Sequence, residues 1–201
     1  MSDNFYTDND DLRFHVERNV DWAALYEATE FGASVEDRVE SAEDSKELYE
    51  DVLKELGKFV ARKVAPVARQ IDHEATSLVD GQVVESPAFA KVFKGLKRMQ
   101  VYGLPVPREL GGLNAPAMVY LVASELMARG DVSVMTHFGF HTGVPMSLIT
   151  YALRDKRSVF ENGRLMSTPY DDAIEEMITG KEWGCMVLTE PGAGSDLAQI
   201  R

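Results

Sequence analysis

The residues of this chain that are best suited to binding a ligand stand close together near its end. Residues 185–188 form a short apolar, partly β-branched run of the kind that makes a buried strand. Residues 189–196 then bring Pro, two Gly, Ser and Asp, which favour a tight loop. Gly192 and Gly194 permit positive φ and let a ligand approach the backbone, and the free N–H groups of such a loop can bind an anion. The pattern predicts a cofactor loop at the end of a strand.

Two hydroxyl groups add to the chemistry of this loop. Thr189 and Ser195 can donate hydrogen bonds to ring carbonyls or to phosphate oxygens. An ordinary Gly-rich turn after a strand is the simplest alternative. A dinucleotide-binding Rossmann turn is disfavoured because Gly192-Ala193-Gly194 lacks the third Gly at the required spacing. A Walker phosphate loop is disfavoured because no Gly-Lys-Ser/Thr follows.

A second pair of candidate residues lies upstream, in a strongly apolar segment. His137 and His141 are four residues apart, which on a helix is the spacing of two metal ligands. The sequence offers neither an HExxH pattern nor a third ligand, so it assigns no metal site and favours pocket-lining or hydrogen-bonded core histidines.

The elements that must position these residues read as helices. From Lys46 an apolar stripe recurs at three- and four-residue steps, through Leu48 and Val52 as far as Ile71, and predicts a helix that Pro66 kinks. Ser86-Pro87 is a helix start, with Ser as N-cap and Pro in the first turn. The two later helical segments both precede the loop, and the second of them carries the two histidines on a largely apolar surface.

The loop also carries a family resemblance. Leu-Thr-Glu-Pro-Gly-Ala-Gly-Ser-Asp, residues 188–196, resembles the flavin-binding signature of the acyl-CoA dehydrogenase family almost letter for letter. Gly-Leu-Pro-Val-Pro-Arg-Glu-Leu-Gly-Gly, residues 103–112, is a second close match to that family's pattern. The resemblance covers roughly residues 46–201, and residues 1–45 are similar in character to the N-terminal extension of some longer members.

This resemblance implies a fold and a division of the chain. The expected class is mainly α: a helical acyl-CoA dehydrogenase N-terminal domain followed by the first strand of the family's middle β domain. The expected divisions are an N-terminal extension and acidic linker (1–45), the helical domain (46–181) and the start of the β domain with the flavin loop (182–201). The rest of the family's fold lies outside these 201 residues.

Composition and charge narrow the class of partner. The chain has 33 Asp and Glu against 21 Lys and Arg, a net charge of −12, which argues against nucleic acid or an anionic membrane as a partner. No apolar run approaches the length of a membrane span, and the acidic N-terminus is unlike a signal peptide. Cys185 is the only cysteine and is compatible with a reducing compartment. A cytoplasmic location is therefore expected.

By resemblance, the chain would bind FAD and take part in oxidising an acyl-CoA thioester to the 2-enoyl-CoA. Met186, Leu188 and Thr189 would lie against the flavin ring, while Gly194 and Ser195 would meet the pyrophosphate. Ser195 would also touch the CoA moiety. The family's catalytic base, a Glu, belongs to the C-terminal domain, so no catalytic residue is assigned in this chain. Electrons would pass to an electron-transferring flavoprotein, and a homo- or hetero-oligomer is expected.

The resemblance also places the acyl pocket along the apolar helix that carries the histidines. Met135, Phe138 and Gly139 are the expected substrate-binding residues. Gly139 stands where members for medium-length chains carry an acidic residue, and its missing side chain would deepen the cavity. The expected substrate therefore has a bulky or long acyl group.

Three other functions remain open from the sequence. The chain could be one subunit of a split or hetero-oligomeric dehydrogenase, with the base supplied by another chain. It could be a non-catalytic acyl-CoA-binding or scaffold protein that kept the fold without the reaction. An acyl-CoA oxidase, which passes electrons to oxygen, shares much of the same pattern.

Overall fold

The described part of the chain is built from helices, with two small hairpins between them. The computed structural model describes residues 2–30 and 39–199. The helices are α1 (Asp10–Phe14), α2 (Trp22–Thr29), α3 (Ala42–Phe59), α4 (Ala68–Glu74), α5 (Pro87–Met99), α6 (Ala117–Gly130), α7 (Val132–Arg154) and α8 (Asp171–Ile178). The hairpins pair β1 (Ser77–Val79) with β2 (Gln82–Val84) and β3 (Val159–Glu161) with β4 (Arg164–Ser167), both antiparallel. The expected mainly α class is confirmed.

The predicted kinked helix is present as α3 and α4 with an irregular joint between them. The Ser41 hydroxyl caps α3 by accepting a hydrogen bond from the Asp44 N–H. A π-helical turn, Val60–Val64, and a 3-10 turn, Ala65–Val67, then lead into α4. Pro66 lies in this joint because it has no N–H to continue the helical ladder and its ring crowds the preceding turn.

The buried face of α3 differs from the predicted stripe. Tyr49 and Leu53 are fully buried, whereas Leu48 is 43% exposed and Val52 is half-buried. The Tyr49 ring stacks on Trp22 of α2 at 6.3 Å, and its hydroxyl donates to the Leu113 carbonyl at 3.1 Å. Tyr49 therefore takes the central position because tertiary partners satisfy both its ring and its hydroxyl.

The N-terminal arm, residues 2–9, packs onto the outside of α3. The Phe5 N–H donates to the Gly57 carbonyl at 3.1 Å, and the Asn4 side-chain amide donates to the Lys54 carbonyl at 3.0 Å. Tyr6 is buried beside them, and Arg129 of α6 donates to the Asp8 carboxylate at 2.6 Å. Residues of the arm thus share the main core with α3 and α6. Residues 31–38, which include half of the acidic linker predicted at residues 32–45, lie outside the described ranges.

A histidine–aromatic cluster joins α5, α7 and the C-terminal tail (residues 182–199). Its members are Phe93, Tyr102, His137, His141 and Trp183. The Phe93 ring stacks on the His137 ring at 3.4 Å, and Trp183 meets the other side of the cluster with its centroid 3.9 Å from His137. The Tyr102 ring stacks on His141 at 4.2 Å. The cluster fixes the point at which the tail leaves α8.

Both imidazoles of the cluster are hydrogen-bonded and buried. His137 Nε2 lies 3.0 Å from the Tyr102 hydroxyl, and His141 Nδ1 lies 2.9 Å from the Met177 carbonyl oxygen. Burial, helped by the neighbouring His141, lowers the pKa of His137 from 6.5 to about 3. Burial also lowers the pKa of His141, although its bond with the Met177 carbonyl opposes the shift. His137 is therefore neutral at physiological pH.

Replacing Gly57 by Ala should displace the N-terminal arm. A Cβ at position 57 would lie 2.5 Å from Asn4 Oδ1 and 2.6 Å from the Tyr6 amide nitrogen, so the arm must move. We expect an overpacking cost of about 1–3 kcal/mol, which exceeds the gain of up to about 1 kcal/mol in helix propensity. Urea unfolding followed by circular dichroism measures the difference. Gly143→Ala in α7, where a Cβ would meet no atom within 4 Å, is the matched control; equal stability of the two variants would contradict the packing described.

Lowering the pH should destabilise the fold through His137. Its folded-state pKa of about 3 lies below the unfolded value near 6.5, so the unfolded chain binds the extra proton and stability falls as pH drops below 6.5. Between pH 7.5 and 5.5 this amounts to about 1.4 kcal/mol. His137→Gln should remove that part of the pH dependence in urea unfolding, whereas the exposed control His73→Gln should keep it. Identical profiles for wild type and His137→Gln would refute this role.

Candidate functional site

The C-terminal tail, residues 182–199, carries the predicted cofactor residues in an exposed segment. Residues 185–188 have no regular secondary structure and do not form the predicted buried strand: Met186 is 60% exposed and Val187 is 86% exposed. A strand needs a neighbour for its N–H and C=O groups, and β1–β4 pair among themselves instead. The prediction of a formed and buried strand is therefore wrong for the described residues.

The loop after this segment is closed by its own backbone. The Glu190 N–H donates to the Ala193 carbonyl and the Ala193 N–H donates to the Glu190 carbonyl, each at 3.0 Å. Pro191 and Gly192 form the turn between them, and Ala193 is buried beneath it. The predicted tight loop is thus present.

The structure contradicts one of the two reasons predicted for the glycines of the loop, which is positive φ. Neither Gly192 nor Gly194 is among the described residues with positive φ. A Cβ built on either would meet no atom within 4 Å. Contacts within the described chain therefore do not explain glycine at these positions. A bare backbone open to one side is the arrangement that close approach of a phosphate group needs.

The side chains predicted to contact the cofactor are accessible. Met186, Leu188, Thr189 and Ser195 are all exposed. Within the described residues the Thr189 and Ser195 hydroxyls make no hydrogen bond, so both can donate to an added group. The donor set, two hydroxyls and the loop backbone beside two apolar side chains, fits a flavin with its diphosphate.

The predicted substrate residues lie on α7, on the side that faces α6. Phe138 is fully buried against Tyr120, with ring centroids 5.7 Å apart, and Met135 is half-buried. A Cβ on Gly139 would lie 3.7 Å from the Tyr120 hydroxyl, an ordinary contact that leaves room for a side chain. The complete burial of Phe138 makes it a wall behind Tyr120 in this structure, and its contact with a substrate stays a prediction.

The tail and α7 meet at Trp183 and Gly184. A Cβ on Gly184 would lie 3.0 Å from the Phe140 carbonyl oxygen and 3.1 Å from the Val144 side chain, so only glycine allows this close approach. Trp183 is held by the histidine–aromatic cluster described above. The described contacts thus bring the start of the tail to α7, one turn away from the predicted substrate residues. They do not bring the predicted cofactor residues into direct contact with the predicted substrate residues.

Sequence reasoning missed the residues that anchor the tail. These are Phe93, Tyr102 and Trp183, to which the sequence analysis assigns no role. One sequence signal could have pointed to this cluster: His137 and His141 lie on one face of a helix that has little polar surface, so they need buried partners. Their ring nitrogens bond Tyr102 and the Met177 carbonyl, so they are hydrogen-bonded core histidines. The side chain of Glu125 on α6 is exposed, although α6 is largely apolar.

Comparison with known proteins agrees with the motifs. Residues 46–156, more than half of the chain, match the family model described as acyl-CoA dehydrogenase, N-terminal domain. The chain is 30% identical over 149 residues to 3-methylmercaptopropionyl-CoA dehydrogenase of Ruegeria pomeroyi. It is 28% identical over 159 residues to the mitochondrial very long-chain specific acyl-CoA dehydrogenase of Mus musculus. It is 23% identical over 159 residues to the mitochondrial isovaleryl-CoA dehydrogenase of Solanum tuberosum.

These alignments cover most of this chain and a small part of each relative. They span 74%, 76% and 77% of the chain, but 23%, 21% and 33% of the three relatives in the same order. The matched region is helical, and among the described residues no helix is long and apolar enough to cross a membrane. The chain belongs to the acyl-CoA dehydrogenase family, an enzyme family, and corresponds to its helical N-terminal domain.

Proposed function

We propose that this chain supplies the helical domain and part of the flavin site of an FAD-dependent acyl-CoA dehydrogenase. The reaction would convert an acyl-CoA thioester to the 2-enoyl-CoA. The observation that carries the proposal is the loop at residues 189–196, which is closed by two backbone hydrogen bonds and leaves Gly192 and Gly194 open to an approaching group. Membership in the family and the names of its relatives support the same activity.

Each predicted residue has a task that its position allows. Exposed Met186 and Leu188 would pack against the flavin ring and shield it from water, while the Thr189 hydroxyl would donate to the ring's polar edge. The backbone at Gly194 and the Ser195 hydroxyl would donate to the diphosphate, and Ser195 would also reach the CoA moiety. FAD, when bound, supplies the hydride acceptor. The chain's own contribution is to bind and orient it.

The catalytic carboxylate and the electron acceptor come from outside the chain in this proposal. A Glu of the family's C-terminal domain would remove the α proton, and an electron-transferring flavoprotein would take the electrons. The assembly would be a homo- or hetero-oligomer. A cytoplasmic location stays a prediction, and two of the relatives compared above have mitochondrial in their names.

The first test is an absorption spectrum of the purified natural assembly together with the intact mass of every chain. Flavin bands that bleach on adding acyl-CoA without oxygen would support the dehydrogenase. Rapid return of the bands in oxygen would favour an oxidase. The masses would reveal whether the base belongs to a longer chain or to a second subunit. A colourless protein, even after reconstitution with FAD, would refute the enzyme proposal and favour a scaffold.

Thr189→Val should weaken flavin binding. The substitution keeps the shape of the side chain and removes one hydrogen bond, worth about 0.5–1.5 kcal/mol, so the Kd for FAD should rise by roughly two- to tenfold. Fluorescence titration of the apoprotein with FAD measures it. Thr150→Val is the control, because Thr150 is exposed on α7 and bonds the Met146 carbonyl of its own helix. An unchanged Kd for Thr189→Val would remove Thr189 from the site.

Gly139→Leu should shift the preference toward short acyl groups. The position has room for a side chain beside Tyr120, and a bulky residue there would occupy the space proposed for a long acyl group. We expect kcat/KM for palmitoyl-CoA to fall about tenfold or more relative to that for butyryl-CoA. Gly143→Leu, one turn further along α7, where a Cβ would meet no atom within 4 Å, is the control. Equal loss for both substrates would place Gly139 outside the acyl pocket.

A further inference from the structure

A groove between the α3–α4 joint and α5 has a charge opposite to that of the chain as a whole. It encloses about 800 Å³, and its rims carry Arg62, Lys63, Lys91, Lys94 and Arg98. These are five of the 21 basic residues in a chain of net charge −12, and all five are exposed. Its lining contains no Asp or Glu among the described residues. We call it the cationic groove.

The floor of the cationic groove is apolar. Phe59, Val67, Pro87, Ala88 and Val92 line it, and Ala88 and Val92 are buried. Within the groove the Phe59 ring lies against Gly95, since a Cβ on that glycine would be 2.5 Å from the ring. The N–H of Ala88, which also lines the groove, donates to the Glu74 carboxylate at 3.4 Å. The result is a defined trough with an apolar base and cations along both edges.

The cations of the groove are available for a partner. Lys91, Lys94 and Arg98 follow one another at steps of three and four residues, so they lie in a row along one face of α5 over roughly 10 Å. Arg62 on the opposite rim approaches Asp3 at 3.5 Å. The ion pairs found among residues 2–30 and 39–199 do not include Lys63 or the three cations of α5.

We infer that the cationic groove is a docking site for an acidic amphipathic helix of a partner protein. An apolar stripe on such a helix would fill the floor, and carboxylates on both of its flanks would meet the two basic rims, as in other helix-in-groove complexes. Long-range repulsion from the rest of this acidic chain would steer an acidic partner to the cationic groove. This inference is independent of the flavin site.

Two other occupants fit the groove less well. A single phosphate or carboxylate headgroup would neutralise the cations at one point, but the five cations are spread along both edges. A planar anionic membrane would reach the rims but leave the recessed apolar floor unfilled. The acidic outer face of α3 in a second copy offers only Leu48 as an exposed large apolar side chain, which is too little for this floor.

The test uses a fluorescein-labelled synthetic peptide of about 14 residues, with leucines at helical spacing flanked by glutamates. Its binding to the full chain is followed by fluorescence anisotropy. A peptide of identical composition in scrambled order separates shape from charge. We expect Lys91→Glu/Lys94→Glu to weaken binding of the ordered peptide about tenfold or more. Arg18→Glu/Lys156→Glu, which makes the same change of charge at exposed positions outside the groove, should alter binding by less than about twofold.

Several outcomes would overturn the inference. Equal binding of the ordered and scrambled peptides would mean that the groove attracts acidic peptides by charge alone and does not recognise a helix. Binding to vesicles of phosphatidylcholine and phosphatidylserine that depends on Lys91 and Lys94, without peptide binding, would assign it to a membrane. Self-association of the wild type that Lys91→Glu/Lys94→Glu abolishes, measured by sedimentation, would make a second copy the occupant. Unchanged circular dichroism and thermal midpoint of both double variants are the condition for comparing them.

Discussion

Close packing of residues 57–64 against three neighbours is the constraint on which the helical domain depends. The N-terminal arm lies directly on Gly57, the Phe59 ring fills the space over Gly95 of α5, and a Cβ on Gly130 of α6 would clash with Val60. Protein interiors are packed as densely as molecular crystals, so none of these contacts can admit a larger side chain without moving a helix. The orientations of α5 and α6 follow from them.

The position of the candidate site follows from this packing through α7. Asp131 alone separates α6 from α7, and its carboxylate caps α7 by accepting from the Val134 N–H at 2.9 Å. The orientation of α6 therefore fixes α7, and α7 presents His137 and His141 to Trp183. Since these rings are neutral and hydrogen-bonded, they act as packing surfaces that hold the start of the tail. The loop at residues 189–196 is thus carried on a rigid support although its own side chains are exposed.

Much of this arrangement could be predicted from local sequence signals. The remainder depends on contacts between residues far apart in the chain, which local patterns do not reveal. The kink at Pro66 and the helix start at Ser86 were predictable because proline geometry and N-cap chemistry act within a few residues. The burial of Tyr49 in place of Leu48 was not, because it depends on Trp22 and on the Leu113 carbonyl far along the chain. The prediction of a strand at residues 185–188 was wrong for the same reason. The sequence pattern is that of a strand, but a strand needs a partner strand to pair with. In the candidate site, the loop string predicted the closed turn, while the anchoring by Trp183 was visible only in three dimensions.

Helix α5 joins the two functional surfaces considered above, because its opposite sides serve different purposes. Phe93 stacks on His137 at 3.4 Å and meets Trp183 edge-to-face at 5.0 Å, so one side of α5 supports the start of the tail. Lys91 and Arg98 on its other side form a rim of the cationic groove. A partner that displaced α5 would have to disturb the Phe93–His137 stack, which lies in a close-packed region and resists gradual deformation. The same packing that holds the start of the tail therefore also shapes the cationic groove.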